Sequence, residues 1–191
     1  MSRGFESEFK SIDLLLFSDS ESRGVDAFCL SWIKLEKQLR KISANLIYQA
    51  SDIKAGDERR LRDALYGHGN LSHTTFIGAI RYLTGISVSD LIGARYDYLK
   101  KAADASYRNR QKIFHGQQTG QSLTRDALIS RVGDIREWCE LLSAGATARF
   151  GYDGFSGSTS LFKTGLAEIV VAVDKALKPK GWEAYARTFQ R

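Results

Sequence analysis

Apolar residues Phe28, Trp32, Leu35, Leu39, Ile42 and Leu46 recur at three- and four-residue steps, the spacing of one helix face. The pattern predicts a helix over residues 25–48. A shorter helix is expected over 57–66, broken by Gly67, His68, Gly69 and Asn70. Ser72 then starts a helix that carries Phe76, Ile80 and Leu83 and stops at Gly85. Ser87 or Ser89 caps the next one. That helix carries Leu91, Ile92, Tyr96, Leu99 and Ala103 and is expected to run on to Phe114. Residues 116–121 read as a turn. Thr124 opens another long helix, with Leu128, Val132, Ile135, Trp138 and Leu142 on one face. Residues 168–173 are β-branched and fit a strand, whereas 166–177 fit a helix stopped by Pro179. No partner strand is evident, so the helix is the better fit. Residues 182–189 read as a last short helix.

The expected fold class is all-α: an up-and-down bundle of four to five main helices with a short C-terminal extension. Three regions follow. Residues 1–24 form an N-terminal lead-in, 25–150 the helical domain, and 151–191 a Gly/Ser loop and helical extension packing on the same domain. The chain has 191 residues, 43% hydrophobic and 26% charged, which is ordinary for a globular domain. The longest apolar run, 169–173, is far short of the ~20 residues that span a bilayer. Residues 1–17 carry Glu6, Glu8 and Asp13 and show no cleavable signal pattern. Two cysteines, Cys29 and Cys139, make neither a disulfide scaffold nor a four-ligand zinc site. Both fall on apolar stripes and read as core residues. The expected compartment is the cytoplasm, with no membrane partner, no cofactor and no metal.

Charge sharpens the picture. The chain carries a formal +6, a modest pointer to a polyanionic partner. Residues 100–115 hold five of the bases, Lys100, Lys101, Arg108, Arg110 and Lys112, against one acid, Asp104. Inside that stretch, Arg108, Asn109 and His115 place a fixed cation, an amide and an imidazole within eight residues. Histidine moves a proton near neutral pH. Arginine holds a phosphate and neutralises charge that builds up on it. An amide orients either one. On a continuous helix Arg108 and His115 return to within roughly 20° of one face, whereas Arg110 and His115 lie about 140° apart.

The segment RNRQKIFHG resembles the motif of the HEPN ribonucleases, Arg–x(4–6)–His with a polar residue, often Asn, after the arginine. The first helix, SWIKLEKQLRK, is similar to the opening helix of several such proteins. The resemblance covers residues 25–145 and implies a small all-helical domain. It also implies metal-independent RNA cleavage, in which the ribose 2′-OH attacks its own phosphate to leave a 2′,3′-cyclic phosphate and a 5′-OH. His115 would be the general acid or base, Arg108 the phosphate clamp and Asn109 the positioning residue, with Arg110 as the alternative clamp. Lys100, Lys101, Arg110 and Lys112 would draw in RNA. The family further implies a homodimer with a composite active site, and a toxin or anti-phage role with an antitoxin or regulatory partner.

Other readings stand beside it. The same fold can serve as a catalytically inactive RNA-binding or interaction module. The segment LSHTTFIGAIRYLTGISVSDLI faintly resembles the helix-turn-helix of AraC-type regulators, although the helix from Val88 is poorly suited to reading base edges. His68 and His73 have no Cys, Asp or Glu at ligand spacing and read as loop residues. Tyr152 and Phe155, among glycines, read as anchors that pin a loop to the core more than as base-stacking platforms.

Overall fold

The computed structural model describes residues 4–66, 72–116 and 123–189. Among them the protein is all-α. The helices are α1 (Phe5–Leu16), α2 (Arg23–Tyr48), α3 (Glu58–Tyr66), α4 (His73–Thr84), α5 (Val88–Ile92), α6 (Tyr96–Phe114), α7 (Arg125–Phe150), α8 (Ala167–Leu177) and α9 (Gly181–Thr188). Helices α2 and α7, of 26 residues each, form the central pair. The predicted stripes meet there: Phe28, Trp32, Leu35, Leu39 and Leu46 of α2 and Val132, Trp138 and Leu142 of α7 are all buried.

Three local features depart from the sequence reading. Residues 5–16, expected as part of a lead-in, form α1, whose Phe9 and Ile12 lie in the core. Glu8 of α1 accepts from Lys34 and Lys37 of α2 at 2.8 and 2.7 Å, and Arg136 of α7 pairs with Asp13. The helix expected to run unbroken from Leu91 to Phe114 is interrupted. Gly93, with φ near +75°, ends α5, and a single 3-10 turn, Gly93–Arg95, leads into α6. Residues 167–177 are helical, which settles the strand alternative. Three ends follow their caps: Ser87 forms a capping box with Asp90, Thr124 caps α7, and Gly85 closes α4 in the left-handed region. The turn expected at 116–121 is described only at Gly116, and the glycine break at 67–70 lies outside the described residues.

Helix α5 has five residues, and Val88, Leu91 and Ile92 are all buried. It packs on α7 at Gly145, where a methyl group would overlap the Leu91 carbonyl. In the helix that the helix-turn-helix reading would place in a DNA groove, only Ser89 and Asp90 are left toward solvent. Helices α8 and α9 cover α4 and α3, with Phe76 stacked on Phe189 and Tyr82 on Tyr185. No single helix among the described residues is long and apolar enough to cross a membrane.

Residues 151–166 are irregular yet fixed. Tyr152 and Phe155 are buried, as anchors. The rest of the fixing comes from α2. Gln38, Asn45 and Gln49 follow one another at seven and four residues, so they lie within roughly 20° of a line along the helix. All three are buried. The Gln38 amide nitrogen lies 2.9–3.0 Å from Cys139 O, Ser143 Oγ and Asp153 O. Asn45 donates to Ser160 O and Phe162 O at 2.8 and 3.2 Å. Gln49 donates to Phe162 O at 2.9 Å and accepts from the Thr164 N–H at 2.9 Å. Gly154, at φ +84°, passes directly over Gln38, where a Cβ would fall 2.6 Å from Cγ. Replacing Asn45 by Leu keeps the branched shape but strips the Ser160 carbonyl of its side-chain donor and leaves Phe162 O with Gln49 alone. It is expected to cost about 1–3 kcal/mol in urea unfolding, the penalty of stranded buried polar groups. A change below a few tenths of a kcal/mol would show that the loop is not held this way.

Candidate active site

Helix α6 is two-faced, and the two faces sort the motif residues. Leu99, Ala102, Ala103 and Ser106 are buried against the bundle. On the opposite side Lys101, Arg108, Lys112 and His115 are exposed. Their offsets of seven, four and three residues keep all four within an arc of roughly 60°. The helix stays regular to Phe114, so the single-face argument for Arg108 and His115 holds to its last turn. His115 is the C-cap residue, and its N–H donates to Gln111 O at 3.0 Å. Gly116 follows at φ +61° and turns the chain away.

Arg108 and Asn109 line an open groove of about 490 Å³ between α6 and α7. Lys112 and Tyr98 lie beside them on α6, with Arg131 and Asp134 on the α7 side. Asp134 is already occupied: it accepts from Tyr98 Oη at 3.0 Å and from Arg131 at 3.1 Å. Two exposed cations, Arg108 and Lys112, therefore face the groove beyond that neutralised pair. Arg131 and Asp134 carried no signal in the sequence, because nothing there says which face of α7 meets α6.

Arg110 points elsewhere. It lies roughly 180° around the helix from Lys101, on the side of the buried residues. Its guanidinium sits 4.7 Å from the Phe114 ring centroid and donates to Gln111 Oε1 at 3.3 Å. Lys100 is also committed, bound to Asp104 at 2.6 Å. Of the basic residues grouped by sequence, Lys101, Arg108 and Lys112 share the exposed face, and Lys100 and Arg110 do not.

Beneath α6 lies a ring cluster. Trp32 of α2 meets His73 of α4 edge-on at 5.2 Å, and Tyr107 of α6 packs on both at 6.0 and 5.4 Å. Tyr107 Oη accepts from Gln111 at 2.8 Å. His73, expected in a loop, opens α4 and is buried. Its Nε2 lies 3.2 Å from Asp104 Oδ1, and its Nδ1 has no hydrogen-bond partner among the described residues. Burial holds the imidazole below its ordinary pKa, against the opposing pull of Asp104. Burial alone would raise the Asp104 carboxyl, but the bonds from Lys100 and His73 outweigh it and hold it low.

Neither thiol is activated. Burial raises Cys29, aided by Asp26 and only partly countered by Arg110, and burial alone raises Cys139. No group of three His, Cys, Asp or Glu side chains that could hold a metal ion occurs among the described residues. Compared with protein-family models, curated proteins and solved structures, the chain matches none.

The depressed His73 pKa has a thermodynamic consequence. In the unfolded chain an imidazole titrates near ~6.5, so below that pH the unfolded state takes up a proton that the native state resists. Stability is therefore greatest above about pH 6.5 and falls as pH drops toward the lower native value. Urea unfolding at pH 7.5, 6.5 and 5.5 should show this slope, and His73→Gln should flatten it. An unchanged slope in the variant would assign it to other groups.

Proposed function

We propose that this protein is a metal-independent endoribonuclease of the HEPN type, an all-α bundle acting in the cytoplasm. The observation that carries the reading is the exposed α6 stripe, where Lys101, Arg108, Lys112 and His115 share one face and Arg108 and Asn109 line the α6–α7 groove. This is the distribution an RNA backbone requires: cations along a track, and one imidazole at its end.

In this reading Lys101 and Lys112 draw in the backbone, and Arg108 holds the scissile phosphate. The 2′-oxygen attacks phosphorus while a base takes its proton. The P–O5′ bond breaks, and the leaving 5′-oxygen receives a proton. The products are a 2′,3′-cyclic phosphate and a 5′-OH. Arg108 neutralises the charge that builds on the non-bridging oxygens, and Asn109 positions the phosphate. A single imidazole cannot act as base and acid at once, so the site is completed by His115 of a second copy in a homodimer. The setting proposed is a toxin or anti-phage effector held in check by an antitoxin or regulatory partner. A non-cleaving RNA-binding module is the second reading. It is favoured by one observation: the His115 side chain makes no hydrogen bond among the described residues that would orient it.

Arg108 takes the clamp role here because Arg110 is turned into the bundle. The experiment is cleavage of structured RNA in excess EDTA, with end-group analysis. Wild type should leave cyclic phosphate. His115→Ala should lose about 10²–10⁴-fold in rate, the usual share of a general acid–base group. Arg108→Ala should lose activity at an unchanged melting temperature. Arg110→Ala should lose stability before activity. Full cleavage by His115→Ala would overturn the assignment, and binding without cleavage by wild type would select the second reading.

A further inference from the structure

A second basic site lies on α2, separate from the stripe. A cavity of about 260 Å³ opens between α2, α3 and the 151–166 segment. Arg40 and Lys41 of α2 and Arg62 of α3 line it, with no acidic residue in its walls among the described residues. Facing them are the hydroxyl residues Ser158, Thr159 and Ser160. The remaining wall is apolar, made by Ala44, Leu65 and Leu161, each almost fully buried. Small-molecule sites begin at roughly 300 Å³, so this one suits a small ligand.

We propose that this cavity binds a small phosphate ester with an apolar body, of which a nucleoside phosphate is the fitting class. Three observations support it. The cations are gathered without a carboxylate in the cavity, and no ion pair or hydrogen bond engages the half-buried Lys41 side chain among the described residues. Burial, then the neighbouring Lys37 and Arg40 charges, outweigh the opposing pull of Glu8 and Asp153 outside the cavity and disfavour its ammonium, a cost that a bound dianion relieves. The hydroxyl wall is held in place from behind: Asn45 grips Ser160 O, and Thr159 Oγ1 accepts from the Leu161 N–H at 3.0 Å. A fixed wall is what a pre-formed site requires. The third observation is the division of the lining. Cations and hydroxyls suit a phosphate, and the Ala44, Leu65 and Leu161 face suits a sugar or base edge.

The site is distinct from the α6 stripe. Cys29, which feels the Arg110 charge, and Lys41 are twelve residues apart on α2, about 18 Å along the helix axis. The proposal does not depend on the ribonuclease reading.

Isothermal titration of the full chain with ADP, inorganic pyrophosphate, adenosine and a single-stranded RNA 12-mer tests it. ADP should bind saturably, more tightly than pyrophosphate, and adenosine at least tenfold more weakly than ADP. Arg62→Ala, at an exposed position, and Lys41→Met, which keeps the side-chain stem, should each weaken ADP at least tenfold. ADP should also raise the melting temperature of wild type and not of Arg62→Ala. Absence of saturable ADP binding, or equal binding by wild type and both folded variants, would overturn the proposal. RNA binding that both variants weaken, with no ADP binding, would also overturn it and make the cavity part of an RNA track.

Discussion

A buried amide must find hydrogen-bond partners, and Gln38, Asn45 and Gln49 put three of them on one line of α2. Among the described residues their partners outside α2 are α7 on one side and the chain from Asp153 to Thr164 on the other. That requirement turns a Gly- and Ser-rich segment into a fixed wall. It also sets α7 against α2 through Cys139 O and Ser143 Oγ. Lys163 adds a cation at the C-terminal end of α2, donating to Tyr48 O and Ala50 O, the favourable end of the helix dipole for positive charge. The segment contributes no regular structure, yet it closes one side of the core and builds half of the basic cavity.

The α6–α7 groove depends on the same arrangement at one remove. With α7 fixed on α2, its Arg131 and Asp134 face α6, and Asp134 binds Tyr98 near the start of that helix. The Trp32, His73 and Tyr107 rings support α6 from below. Together these contacts set the rotation of α6 about its axis. Rotation is the decisive variable, because it sends Arg108 to solvent and Arg110 into the bundle. Two arginines that differ by two positions thereby take unrelated environments.

Much of this was legible from periodicity. The stripes at Phe28–Leu46 and Leu128–Leu142 mark the central pair, Ser87, Thr124 and Gly85 mark helix ends through their ordinary capping chemistry, and Ser72 stands at the start of α4 without a side-chain bond to its backbone. What escaped had weaker local signals. Phe5, Phe9 and Ile12 do carry a helical repeat, but the acids around them read as a lead-in until Lys34, Lys37 and Arg136 supplied partners from elsewhere in the chain. The break at Gly93 depends on a positive φ, which an apolar pattern on both sides conceals. The buried amides read as polar positions on a helix, and the burial of His73 arises from tertiary contacts with α2 and α6. For the candidate site, the sequence identified the residues and the seven-residue phase of Arg108 and His115. The opposing wall from α7, and the diversion of Lys100 and Arg110, required the packing.

We propose that the exposed face of α6 receives RNA. Amide and side-chain chemical-shift mapping with a 2′-O-methyl RNA oligonucleotide tests it most directly, because such RNA lacks the free 2′-hydroxyl and cannot be cut by that route. Shifts should concentrate at Lys101, Arg108, Asn109, Lys112 and His115 and diminish as salt rises. Shifts confined to other surfaces, or none at low salt, would contradict it.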